Sequence, residues 1–301
     1  MEMRMNETKQ DKLFLLFNYV FLTVAMLIVL YPLMYIISAS MSDPSAVNSG
    51  DMWLLPKGVT FEGYQLIFDN DDIWLGYLNT IFYTVLGTVI NLVITIPCAY
   101  ALSRKDFDGR GFFMAMFVLT MFFNGGLIPT YLVVRDLGLI DTIWAMVLPN
   151  AALVWNIIVS RVFFQVSIPK ELEESSIIDG CSDFKMFMKI ILPLSAPIIA
   201  VMALFYGVGH WNGYFNALIY LSDKEMYPLQ LILREILVLQ EISASSTELT
   251  GEMAEAMHSK QQLAAVIKYG VMIVSSLPII IVYPFLQRYF VKGVMIGSLK
   301  G

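Results

Sequence analysis

Two groups of side chains in this sequence have the types and spacing for chemistry. The first is acidic and aromatic: Glu171, Glu174 and Asp179, a glycine at Gly180, then Phe184 and Phe187, closing on Leu192 and Pro193. The second is His210, Trp211, Asn212, Tyr214 and Asn216, a polar and aromatic run inside an apolar stretch. Catalysis would want convergent acids, a nucleophile–base pair or a metal set. The other histidine, His258, lies far along the chain, and Cys98 and Cys181 stand apart, reading as small packing residues rather than a disulfide or metal motif. No G-x-x-x-x-G-K-[ST] phosphate loop, no H-E-x-x-H and no repeat of 20–50 residues is present. No catalytic residue and no metal site is expected.

The elements that position both groups are membrane spans. The chain of 301 residues is 57% hydrophobic and only 15% charged, where a soluble domain carries roughly a quarter charged residues. Apolar runs long enough for the ~30 Å hydrocarbon layer recur at 13–37, 75–102, 112–128, 142–163, 194–220 and 263–286. The first is too long for the ~7–15-residue core of a signal peptide, despite small residues at Ser38-Ala39-Ser40. With both termini cytoplasmic, only Lys57, Arg135, Lys224, Arg234, Lys260 and Lys268 of the 19 lysines and arginines fall outside. The positive-inside rule selects that topology. Residues 167–193 then face the cytoplasm, and 38–74 and 222–262 are long external segments. QLILREILVLQEI in the second of these has helical periodicity, and SASSTELTGEMAEAM is polar.

Ser167-Ile168-Pro169-Lys170-Glu171 has the features of a helix start, with Ser167 as cap and acids in the first turn. Gly180 marks a break and Ser182 caps a second short helix. There Phe184, Phe187, Met188 and Ile191 share one face at i, i+3, i+4 and i+7. Spacing leaves two readings open: an amphipathic helix on lipid headgroups, or a docking element whose rings enter a groove while Glu174 meets a basic partner.

The run at 210–216 is also open to two readings. Polar groups at membrane depth face protein or a cavity, so they either join helices or line a pathway. Aromatic rings beside amides suit sugars, whose C–H faces stack while hydroxyls need hydrogen bonds. Asn79, Thr80, Thr84, Asn91 and Asn124 are weaker candidates of the same kind, and Gly207, Gly209 and Gly213 allow close approach or bending.

Glu174-Ser175-Ser176, Asp179-Gly180, Phe184, Ile190, Leu192-Pro193 and Pro197 resemble the "EAA" loop of ABC-importer permeases, with serines for two alanines and Cys181 for a third. Asn79-Thr80, the stretch Leu137-Gly138-Leu139-Ile140-Asp141-Thr142, Trp211-Asn212 and the tail Tyr289–Gly301 are similar to the carbohydrate subfamily. Tyr227-Pro228-Leu229-Gln230 looks most like permeases for complex oligosaccharides or polysaccharide fragments. The likeness runs from residue 13 to the end. It implies an all-α integral membrane protein of the type I importer fold, a single permease domain over 1–301 with six spans.

The resemblance implies partners too: a second homologous permease subunit, two cytoplasmic ATPase subunits that bind ATP and Mg, and an extracellular or periplasmic substrate-binding protein. A carbohydrate would be the substrate and membrane lipid the surroundings, with no nucleic acid. Glu171, Glu174, Asp179, Gly180, Phe184, Phe187, Leu192 and Pro193 would form the coupling helix, and Met295–Gly301 would also reach the ATPase pair. The setting is a prokaryotic cell membrane. An ion-coupled secondary transporter is the alternative, but the spans carry no central Asp, Glu or Arg and no broken inverted repeat. A membrane-embedded enzyme would want convergent catalytic groups, which are missing.

Overall fold

The computed structural model describes residues 8–245 and 266–284; among them all regular structure is helical and no strand occurs. The chain divides into two compact units, one of residues up to Asn70 with Ile236–Val274, the other of Asp71–Glu235 with residues from Ser275 on.

In the first unit α1 (Lys9–Ser40) starts at a capping box, in which Thr8 Oγ1 accepts from the Asp11 amide and Asp11 accepts from the Thr8 amide. Its apolar side chains, Leu13 to Met34, stay exposed on all sides. Only lipid or other protein can cover such a helix. Two short helices follow, α2 (Pro44–Asn48) and α3 (Glu62–Phe68).

The second unit is built around α4 (Asp71–Ser103). Thr80, Tyr83, Gly87, Asn91 and Thr95 recur at helical spacing and are buried, which gives α4 an inward stripe of small and polar residues. Next come α5 (Arg110–Phe122), α6 (Leu127–Asp136), α7 (Ile143–Val147) and α8 (Val154–Ser167). Then α9 (Lys170–Ile178), α10 (Asp183–Met186), a π-turn over Phe187–Ile191 and α11 (Leu192–Leu194) make the polar loop. The rest is α12 (Ala196–Trp211), α13 (Phe215–Tyr220), a 3-10 turn at Lys224–Met226 and α14 (Leu229–Ser245). The last helix, α15 (Val266–Pro284), passes from the first unit into the second.

Among the described residues three helices (α1, α4 and α15) are long and apolar enough to cross a membrane, or up to five if each of two bent pairs is one span. The expected spans at 112–128, 142–163 and 194–220 are not continuous helices. α5 stops at Phe122 and the chain turns by 115° into α6. Gly126 lies at positive φ there and Asn124 Oδ1 accepts its amide at 2.8 Å. The second is interrupted over 148–153, at Pro149, and the third at 212–214, at Gly213. Such interruptions are tolerated at membrane depth only where the freed backbone is paired by protein or lines a cavity.

Candidate functional sites: a docking loop and a polar cavity

In the polar loop, α9 ends in a Schellman arrangement. The Cys181 amide donates to Ser176 and the Gly180 amide to Ile177, with Gly180 at φ 68°. Ser182 Oγ then accepts from the Lys185 amide. Ser167 caps nothing: α8 continues through it, and Pro169 holds the N-cap place of α9 without a side-chain bond. The shared face of Phe184, Phe187, Met188 and Ile191 is not formed either. The π-turn adds a residue, so Met186 and Ile191, five apart, are both buried while Phe184 is 76% exposed and Met188 is exposed. Phe187 turns inward, 5.2 Å from the Tyr100 ring. Leu192 is half-buried, and Pro193 follows it, exposed.

The outer surface of the loop is therefore Glu171, Glu174 and Asp179 beside Ile177, Ile178 and Phe184, with Ile178 85% exposed. Its inner surface is fastened by a residue that sequence reasoning missed. Arg104, just past α4, pairs with Asp183 at 3.4 Å and with Asp106, and donates to the Tyr100 hydroxyl. The Arg104 pairing holds the Asp106 carboxyl below the usual carboxylate range. The loop is thus tied to α4 from within and presents an exposed apolar and acidic face.

The second site is a cavity of about 470 Å3 beside the interruption of α12. His210, Asn212, Tyr214 and Asn216 line it, as do Tyr83, Asn150 and Tyr206. Trp211 does not. It is buried on another side, its indole N–H donating to the Ser275 carbonyl at 2.9 Å and its ring edge-on to Tyr77. α12 ends at Trp211, so the run from His210 to Asn216 is not on one regular helix as the expected span over 194–220 would have it.

Asn91 organises the cavity wall. It is fully buried, and its amide nitrogen donates to the Asn150 and Ala151 carbonyls at 2.7 and 2.8 Å. Those carbonyls are the ones freed by the interruption before α8. The Asn91 oxygen lies 2.7 Å from His210 Nε2, which therefore carries the proton. Thr95 and Tyr206 hydroxyls pair nearby at 2.6 Å. Asn79 and Thr80 act at the other end of α4: Asn79 donates to the Glu225 and Tyr227 carbonyls, and Thr80 Oγ1 accepts from the Leu229 amide. Thr84 is on the Trp211 side of α4 and Asn124 in the turn after α5. Among the described residues no cluster of three metal-ligating side chains occurs. His258 and the tail Met295–Gly301 lie outside the described residues.

Asp141, within the Leu137–Thr142 stretch, is held at φ 56°, a left-handed conformation uncommon outside glycine. Its carboxylate accepts from the Ser222 and Asp223 amides at 2.6 and 3.1 Å, and its own amide donates to the Tyr220 carbonyl. These bonds latch the end of α13. The two amides draw the carboxyl below its ordinary range. A lowered native value means the contribution is complete above the unfolded carboxylate pKa of ~3.9 and fades as pH falls through the native value. Asp141→Ala is expected to speed hydrogen exchange at the Ser222 and Asp223 amides and lower the Tm by a few degrees at pH 7. Asp141→Asn, which keeps an acceptor and tolerates the backbone, should fall between. Unchanged exchange in Asp141→Ala would exclude the latch.

The described residues thus form a helical membrane protein with interrupted helices beside a polar cavity and a loop with an exposed apolar and acidic face. Residues 73–296 match the family described as "Binding-protein-dependent transport system inner membrane component", and the chain belongs to that family. It is 41% identical to the polygalacturonan/rhamnogalacturonan transport system permease protein YtcP of Bacillus subtilis (strain 168), over 97% of this chain and 100% of that protein. It is 40% identical to Protein LplC of the same organism, over 99% and 98%. Among solved structures it matches a chain of a bacterial ABC transporter involved in the import of the acidic polysaccharide alginate. The TM-score is 0.83 and the identity 35%, over 95% of this chain and 99% of that one.

Proposed function

We propose that this chain is one of the two permease halves of a binding-protein-dependent ABC importer for oligosaccharides or polysaccharide fragments. The observation that carries the reading is the cavity at the interruption of α12, where amide, imidazole and phenol groups meet rings in a protein otherwise built for lipid. The family, the relative named for polygalacturonan and rhamnogalacturonan transport and the structural neighbour named for alginate support it. Both compact units serve one permease with six spans, counting α7 and α8 as one interrupted crossing, and both termini cytoplasmic. The partners are a second, homologous permease, two ATPase subunits that bind ATP and Mg, and an external substrate-binding protein. The 167–193 loop docks in the ATPase, with Glu174 toward a basic residue and Phe184 in a groove. Phe187 and Leu192 hold the loop from within.

In proteoliposomes containing the whole transporter, Tyr214→Ala is expected to lower saccharide uptake roughly 5–10-fold, the worth of one aromatic contact, with ATPase assembly retained. Trp211→Ala, by contrast, should reduce the amount of folded permease, because it empties a buried site. Full uptake by Tyr214→Ala would count against the cavity as the pathway.

A further inference from the structure

We propose that Arg234 recognises a carboxylate on the passing sugar, making this subunit selective for acidic saccharides such as uronates; the proposal rests on the carbohydrate-permease reading above. Arg234 is half-buried near the start of α14, its guanidinium carbon 5.9 Å from the centre of the Tyr214 ring. Tyr214 in turn lines the cavity with Asn212 and Asn216. The position is set by rigid contacts. Pro228 also lines the cavity, and the Leu229 amide is tied to Thr80 of α4. Arg234 follows Pro228 by six residues, about 9 Å along a helix.

Stacking on an aromatic ring engages the face of a guanidinium and leaves its in-plane N–H donors at the edge. That edge is the complement of a carboxylate, which it binds through two parallel hydrogen bonds. Among the described residues no carboxylate lies within ion-pair distance of Arg234, whereas Arg104 pairs with Asp106 and Asp183, and Arg135 with its neighbour Asp136. Glu235 is exposed, and adjacent helical residues do not face each other. A half-buried cation one ring away from a polar cavity, with no carboxylate partner among the described residues, favours an anion there. Neutral sugars would stack on Tyr214 and bond to the amides but leave the guanidinium edge unmatched.

The test uses the complete transporter in proteoliposomes, with one binding protein throughout so that its own selectivity is common to all variants. The probes are trigalacturonate and its uncharged methyl ester. Arg234→Gln is expected to lower the ratio of acid to ester uptake roughly tenfold or more, as loss of a charge-assisted hydrogen bond implies. Arg234→Lys, which keeps the charge without the fork, should lose less. An equal fall for both probes, or no change in the ratio, overturns carboxylate recognition while leaving the carbohydrate reading standing. Failure of the wild-type complex to move either probe or neutral maltotriose overturns that underlying reading instead.

Discussion

Glu174→Lys is expected to abolish ATP-driven uptake while the permease inserts and folds normally. The reason lies in how α9 is presented. Glu174 is exposed and makes no ion pair among the described residues, so removing its charge takes nothing from the fold beyond the few tenths of a kcal/mol common at surfaces. Toward a partner the balance is different. Ile177, Ile178 and Phe184 surround it with apolar surface that a groove would dry, and a charge pair desolvated in this way couples strongly. Truncating one member of such a pair costs about 2–5 kcal/mol, and reversal adds repulsion. Association with the ATPase should weaken at least ~30-fold, with Glu174→Gln intermediate. Pull-down of the ATPase with the permease, and ATP hydrolysis stimulated by loaded binding protein, measure the two sides. Wild-type uptake in Glu174→Lys sinks the docking assignment.

Much of that loop was legible in the sequence because its signals are local. A glycine at a helix end and a serine before the next helix act within a few residues, and Gly180 and Ser182 do what their types suggest. The serines that replace alanines are accommodated by bonding back on the helix: Ser175 and Ser176 both donate to the Leu172 carbonyl, and Ser176 is buried where only a small side chain fits. What was not legible is whatever departs from regular geometry. A heptad-like face at Phe184–Ile191 presumes 3.6 residues per turn, and the π-turn moved Phe184 and Phe187 to opposite surfaces. The run from His210 to Asn216 was placed within one continuous span over 194–220, and the helix ends at Trp211, inside that run. Arg104 and Asn150 were missed because the contacts that give them their place, Asp183 and Asn91, are distant in sequence. Asn91 stood out only as an amide in an apolar run, since its role depends on a break in the chain 59 residues away.

That role makes Asn91 the residue inside the membrane whose loss should matter most. One side chain pairs two backbone carbonyls of the 148–153 interruption and receives the His210 proton. Asn91→Leu preserves volume but removes the partner of both carbonyls and of the imidazole N–H at a fully buried position. Membrane hydrogen bonds average about 0.6 kcal/mol, yet each orphaned buried group costs about 1–3 kcal/mol. A total of about 2–5 kcal/mol is expected, read as a large fall in the monodisperse fraction of detergent-purified permease. Asn91→Asp separates the contributions. It keeps an acceptor for His210 but sets a carboxylate against two carbonyls, so it should be no better than leucine if the interruption is what Asn91 secures. Gly87→Ala probes the opposite side, since a Cβ there would stand closer to His210 Nε2 and Cε1 than such atoms approach. The ring must leave Asn91 while both carbonyl bonds persist. Gly87→Ala should therefore yield folded protein whose uptake is impaired, because His210 lines the cavity. If Asn91→Leu purifies as well as wild type, the interruption is held by other contacts. If Gly87→Ala transports normally, the place of His210 in the cavity wall does not matter to passage.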